Sequence, residues 1–339
     1  MRHRIKKILF VVILIAIPLL ALCGSVFCGR FQVYPKEVVE CLLQSFGLLD
    51  HEVRREAYAV VMQLRLPRTI AAAAVGAGLA VSGGAFQGVF RNPLVNSGLL
   101  GVSNGAGFGA ALAIVVFGSR GSTYMLAFVF GIVAVAFSYW IARIYKTVPT
   151  VMLILGGTIV SSVFGALITL LKSVADVENE LPAIVYWLMG SVSSVSYEDF
   201  WTLIPIAIGC GLLLLYSWKM NVLSMGEKEA QTMGVSVVRG KFMIILAATL
   251  ATAGAVCLSG IVGWIGLVIP HIARMLVGND NRKMLPVAIS VGAAFMILID
   301  TISRSIASTE VPLGVLTAIV GAPFFVFLLK KTKGGGWQG

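Results

Sequence analysis

The sequence predicts an all-α polytopic membrane protein of about ten transmembrane helices, with both termini in the cytoplasm. Three observations carry this. The 339 residues are 58% hydrophobic and only 12% charged, with a mean hydropathy of +0.94, too few charges to cover a soluble surface. Apolar runs of about 20 residues, the length that crosses a bilayer as a helix, recur along the chain. The net charge of +11 is distributed as a membrane requires: with the N-terminus inside and ten alternating spans, 17 of the 26 Lys+Arg lie on the cytoplasmic side and 12 of the 15 Asp+Glu lie outside. Basic residues hold loops in the cytoplasm, so the excess of positive charge needs no nucleic acid.

The first span covers about 8–28. Its start, MRHRIKK, resembles a signal peptide, but no small-residue cleavage site follows, and it reads as an uncleaved span. A polar stretch runs from Arg30 to about Gln63. Within it Val38, Val39, Leu42 and Leu43 recur at helical spacing, which suits a surface helix. Arg65, Pro67 and Arg68 open the second span, about 68–89. Arg91-Asn92-Pro93 breaks it from the third, about 98–117. There Gly101, Gly105 and Gly109 repeat a small-xxx-small spacing on which another helix can pack closely.

The fourth span, about 123–144, ends at Arg143 and Lys146, and Pro149 marks the turn. The fifth covers about 151–171. Asp176, Glu178 and Glu180 then precede LPAIVYWLMGSVSS. That apolar piece, 183–194, is too short to span and reads as a re-entrant or interfacial segment. The sixth span is about 201–218. After a polar segment, 221–241, come spans at about 242–260, 262–277, 285–304 and 312–330, the third from last interrupted by Pro270 and His271, and then a basic tail ending GGGWQG. No internal repeat divides the chain, and 1–339 reads as one transmembrane domain.

Several chemistries have no residues to support them. No GxxxxGK(S/T) phosphate loop occurs. His3, His51 and His271 lie far apart, with no HExxH and no Cys/His metal spacing. No catalytic residue, metal ligand set or cofactor site is expected, and the chain does not read as an enzyme. Cys23, Cys28, Cys41, Cys210 and Cys257 form no CxxC pair and, being odd in number, no disulfide framework. Cys23 and Cys28, near the end of the first span, read as buried small residues.

Three groups of residues invite a functional reading. In 221–241, Leu223, Ala230 and Met233 share one face of a short helix, with charges on the other. This is a docking surface for a soluble partner or a solvated loop. Thr158, Ser162, Gly165 and Thr169 share one face of the fifth span, as do Gly314, Thr317 and Gly321 in the last. Each stripe lines either a helix contact or an aqueous path. Asp300 and Arg304 are four apart, a spacing that suits an ion pair.

Together these residues resemble one family, the membrane subunit of the ABC importers for cobalamin, ferric siderophores and haem. The resemblance covers nearly the whole chain. It rests on ordered motifs: Arg65-Leu66-Pro67-Arg68; Gln87 with Asn92-Pro93-Leu94; Gly98-Leu99-Leu100-Gly101-Val102; Trp187-Leu188-Met189-Gly190-Ser191; Gly226-Glu227 with Leu223 and Ala230; Gly266 through Pro270-His271 to Arg274; Asp300 with Arg304; and Gly321-Ala322-Pro323-Phe324-Phe325.

The resemblance implies a type II ABC importer permease fold in a bacterial or archaeal cytoplasmic membrane. It implies a homodimer, or a pair with a paralogous permease, around a path on the two-fold axis. Two cytoplasmic ATPase subunits and an extracytoplasmic substrate-binding protein complete it, which accounts for the missing phosphate loop. Residue by residue, Arg65, Arg68 and Arg304 match arginines that dock glutamates of the binding protein. Gly226, Glu227, Glu229, Ala230 and Gly234 match the coupling helices that meet the ATPase. Thr158, Ser162, Thr169 and Thr317 fall on path-lining helices. His271 and Arg274 match a motif at the inner end of a span, with a structural role first and an ATPase contact second. The substrate implied is a metal chelate, with ferric siderophore foremost and cobalamin, haem or an oxyanion as alternatives. In one loop the family reads NPLA, an acid and a proline, where this chain has Val95, Asn96 and Ser97 after Leu94. The competing reading is a self-sufficient secondary carrier or channel, which needs ionisable residues in mid-span for ion coupling. The spans hold almost none.

Overall fold

The computed structural model describes residues 2–48, 53–143 and 148–331. His51, Lys146 and the GGGWQG tail lie outside them. Helix α1 (Arg2–Phe27) is followed by a short surface helix, α2 (Pro35–Ser45). Pro35 opens α2, and the Tyr34 N–H donates to Glu37 Oε2 at 2.9 Å, so a proline start and an acidic first turn hold it. Val38 and Cys41 turn inward against Val26, Val33 and Val61.

Next come α3 (Arg55–Tyr58), a π-helical segment (Ala59–Arg65) and α4 (Leu66–Phe90). They form one continuous helix of 36 residues. The polar stretch thus turns helical about ten residues earlier than its composition suggests. Pro67 explains the π segment: a proline cannot donate to the preceding turn, and the ladder must widen around it. The hydroxyl of Tyr197 donates to Met62 O at 2.7 Å, satisfying the carbonyl five residues before Pro67.

Arg91, at φ 48°, ends α4 in the left-handed region. Helix α5 (Val102–Val116) follows, then α6 (Arg120–Ala142), capped by Ser119, α7 (Thr150–Val174) and the ten-residue α8 (Glu180–Met189). A 3-10 turn (Tyr197–Thr202) leads into α9 (Leu203–Leu215). Two short helices, α10 (Ser217–Met225) and α11 (Glu227–Thr232), precede α12 (Val237–Ser259), α13 (Ile265–Val277), α14 (Asn281–Ser303) and α15 (Leu313–Lys331).

Among the described residues, seven helices are long and apolar enough to cross a membrane. The predicted spans at 98–117, 262–277 and 312–330 correspond to the shorter apolar helices α5, α13 and α15. Ten is therefore an approximate count.

Helix α4 is the hub, packed by α14, α12, α13 and α9. Its alanines and glycines let backbones meet. A Cβ on Gly76 would overlap Gly292 O of α14, and one on Gly83 would overlap Gly266 O of α13. Between apolar helices in lipid there is no hydrophobic drive to associate, so close packing of this kind holds the bundle. The Gly105 and Gly109 seam does the same against Phe130 and Leu126 of α6.

Helix α1 is peripheral, its main neighbour being α14. Cys23 and Cys28 are consequently exposed, not buried as the sequence suggests, because among the described residues none covers that face. Cys41 and Cys257 are the buried cysteines.

Candidate functional site

The motif residues gather at two ends of the bundle and along one helix face between them. At one end α1, α4 and α14 converge. Arg65, Arg68 and Arg304 come together there with Asp300, which is fully buried. Arg68 Nε donates to Asp300 Oδ1 at 2.8 Å, and its Nη1 donates to Glu310 Oε1 at 2.7 Å. Arg304 Nη2 donates to Ser25 O and Oγ, both at 2.6 Å, and its Nε stands 3.7 Å from Asp300 Oδ2. Arg65 donates to Val26 O at 2.8 Å and Phe31 O at 2.6 Å.

These three arginines are not the outward-pointing, free guanidiniums that docking suggests. Each is less than 10% exposed, and each is spent on this chain's own carbonyls or carboxylates. The reason is local: α1 ends here with unsatisfied carbonyls, and an arginine fork satisfies two acceptors at once. They still form the wall of an open cavity shared with Arg30, Ser193 and Glu310. Arg30 is exposed there and binds Ser308 O and Ala307 O.

At the opposite end lie α10 and α11. Gly226, at φ 145°, separates them in a conformation few L-residues adopt, and Gly234, at φ 77°, closes α11. Ala230 is buried, as is Leu223, whereas Met233 is half exposed. The predicted single-helix face is therefore split, because Gly226 breaks the segment and leaves Leu223 on α10, Ala230 on α11 and Met233 past the end of α11. Glu227 and Glu229 stay on the exposed side. Beneath them Lys241 Nζ, only 3% exposed as a residue, contacts Glu227 Oε1 at 2.6 Å, Val148 O at 3.2 Å and Thr150 Oγ1 at 3.3 Å. Asn221 ties the same end together, donating to Asp280 Oδ1 at 2.7 Å and accepting from the Asn281 N–H at 2.8 Å. Neither Lys241 nor Asn221 stands out in the sequence, because their partners lie up to 93 residues away.

Between the ends, the two polar stripes part company. On α7, Thr158, Ser162 and Thr169 are exposed, and nothing within 4 Å would meet a Cβ on Gly165. Their hydroxyls donate to backbone oxygens four residues back, at 2.9, 3.0 and 3.0 Å. On α15, Thr317 is fully buried and donates to Gly314 O at 3.1 Å. Gly314 packs on Met189 and Gly321 on Trp264. Thr317 is therefore a packing residue in this conformation, not a lining one.

The remaining motif residues hold the frame. Arg274 hydrogen-bonds Gln87 Oε1 and Gly84 O, joining α13 to α4. Where the Val95-Asn96-Ser97 loop departs from the family pattern, Asn96 Oδ1 accepts from the Gly98 N–H at 3.0 Å, the turn-forming bond that an acidic side chain also makes.

Comparison with known proteins agrees with this architecture. Residues 14–331 match the FecCD transport family. The molybdate import permease MolB of Haemophilus influenzae is 38% identical over 309 residues, covering 91% of each chain. The cobalamin import permease BtuC of Halobacterium salinarum is 40% identical over 291 residues, 84% of this chain and 77% of that one. An iron chelatin permease of Helicobacter pylori is 35% identical over 95% and 98% of the two chains. A solved structure described as a metal-chelate type ABC transporter in an inward-facing conformation superposes with a TM-score of 0.83, at 38% identity, covering 96% of this chain and 99% of that one. The chain belongs to the FecCD transport family and is the membrane permease subunit of an ABC importer, whose ATPase is a separate subunit.

Proposed function

We propose that two copies of this chain, with two cytoplasmic ATPase subunits and an outer binding protein, import a bulky metal chelate such as a ferric siderophore. The observation that carries the cargo class is the α7 stripe. Its exposed face bears Thr158, Ser162 and Thr169 but no charged side chain between Val151 and Leu171. The hydroxyl protons are already given to the helix's own carbonyls. A small oxyanion bound on that face needs free N–H or O–H donors or a cation. A chelate that carries its metal already wrapped needs only a smooth, weakly polar wall.

In this reading α11, with Gly226, Glu227, Glu229, Ala230 and Gly234, receives the ATPase. The cavity walled by Arg65, Arg68 and Arg304 receives the binding protein. ATP-driven uptake into proteoliposomes holding the whole importer tests the reading. Ferric chelate, cobalamin and molybdate are offered in turn, each with its metal as the label. ATP-dependent uptake of the ferric chelate is expected. Uptake of molybdate alone overturns the cargo class in favour of the oxyanion for which the MolB relative is named. Gradient-driven uptake by this chain without an ATPase supports the carrier reading instead.

A further inference from the structure

Lys241 is a buried ammonium held between two elements that otherwise share no extended contact. On one side it pairs with Glu227, the first residue of α11, at 2.6 Å. On the other it reaches Val148 O and Thr150 Oγ1, which flank Pro149, the cap of α7. Helix α7 packs on α5 and α6, and α11 on α10 and α12.

The electrostatics of this arrangement are conditional. A helix N-terminus carries partial positive charge, and Lys241 lies at the N-terminus of α7 and one turn into α12. Among the described residues, Glu227 is the carboxylate that pairs with it. With Glu227 in place the site is neutral, and the ammonium binds α7's first turn. With Glu227 withdrawn, an unpaired buried cation faces two positive helix ends, a strongly unfavourable state. Displacement of α11 therefore changes how firmly the start of α7 is held. The exposed stripe of Thr158, Ser162 and Thr169 lies on that same helix.

We infer that Lys241 is a positioning residue that couples α11 to α7, so that movement of α11 by the motor is passed to the helix carrying the exposed hydroxyl stripe. The inference rests on the reading that α11 receives the ATPase.

The test uses the assembled importer in proteoliposomes, on a cysteine-free background, with spin labels at Val151 of α7 and Arg282 of α14, both exposed. Their separation is measured with and without a non-hydrolysable ATP analogue. The unsubstituted protein is expected to show a nucleotide-induced shift. Lys241→Met is expected to lose it while the ATPase subunits still co-purify and hydrolyse ATP. Lys241→Arg, which keeps the charge and the donors, is expected to restore it, an outcome that mere loss of packing does not give. If Lys241→Met does not assemble, Thr150→Val, which removes the side-chain acceptor on α7 and leaves α11 untouched, is read in the same way and is expected to reduce the shift. A full shift in Lys241→Met, or in Thr150→Val when that variant stands in, overturns the inference. Failure of any ATPase to co-purify with the unsubstituted chain overturns the permease assembly at α11 instead, and the two failures are separately visible.

Discussion

Arg68 and Asp300 lie 232 residues apart in sequence, yet Nε and Nη2 of the guanidinium each stand 2.8 Å from Oδ1 of the fully buried carboxylate. The pair pins α4 to α14 at the end of the bundle where α1 also finishes. Glu310 and Arg304 extend it into a network of two arginines and two acids.

Such a pair is costly to break and cheap to replace. Asp300→Ala leaves two buried guanidiniums short of charge, and the expected loss is about 3–5 kcal/mol. The double variant Arg68→Met/Asp300→Leu removes both charges and is expected to lose less than Asp300→Ala alone. Thermal unfolding in detergent, compared across the two variants, checks the order. Equal loss in both means that packing, not charge, holds this end.

Glu310 occupies Arg68 Nη1 at 2.7 Å while remaining partly exposed at the mouth of the cavity. A carboxylate from a docking protein reaches that nitrogen only by displacing it. Glu310→Gln is therefore expected to tighten binding-protein docking, and Arg68→Glu to weaken it. Affinity measured by biolayer interferometry on nanodiscs reads both. Equal affinities for the unsubstituted chain and both variants rule out a docking role for Arg68.

The α5–α6 seam has no room to spare. A Cβ on Gly109 overlaps Leu126 O, a backbone atom that cannot rotate away. Gly109→Val is expected to separate the helices and lower stability by about 1–3 kcal/mol, as overpacking does. Gly165→Ala, on the open face of α7, is expected to be near neutral. Comparative melting of the two variants decides.

Acid sensitivity is expected at the α11 end. Burial opposes ionisation of Asp280, but hydrogen bonds from Asn221 and the Arg282 N–H, with Lys283 and Arg282 nearby, outweigh it and hold the carboxyl below the ordinary carboxylate range. A folded-state value below the unfolded one contributes stability that is complete above the unfolded value and fades as pH falls through the folded one. The contribution is therefore present at neutral pH and is lost on acidification below about 4. Asp280→Asn is expected to melt lower than the unsubstituted chain at pH 7, with the gap closing towards that acid limit.

The sequence by itself determined the solvent, the class and most of the helices. Apolar runs, the placement of Arg and Lys, and the ordered motifs are local or additive properties, and a bilayer reads them directly from composition. The Gly105-Gly109 spacing likewise announced a close helix contact, whereas Gly101, the third member of the predicted stripe, caps α5 at φ 86° and faces Val160 and Ser161 of α7 instead. Tertiary structure decided the direction in which side chains face. Two stripes of the same kind, on α7 and α15, became an open face and a packed one, since neighbours cover Thr317 and leave Thr158 bare. Arg65, Arg68 and Arg304 gather at one end of the bundle, but the fold turned them inward, because α1's terminal carbonyls and Asp300 offer acceptors that solvent-facing geometry forgoes. Lys241 gained its partners only when α11 and the start of α7 were brought to one side of α12. Periodicity fixes which residues share a face. Only packing fixes what that face meets.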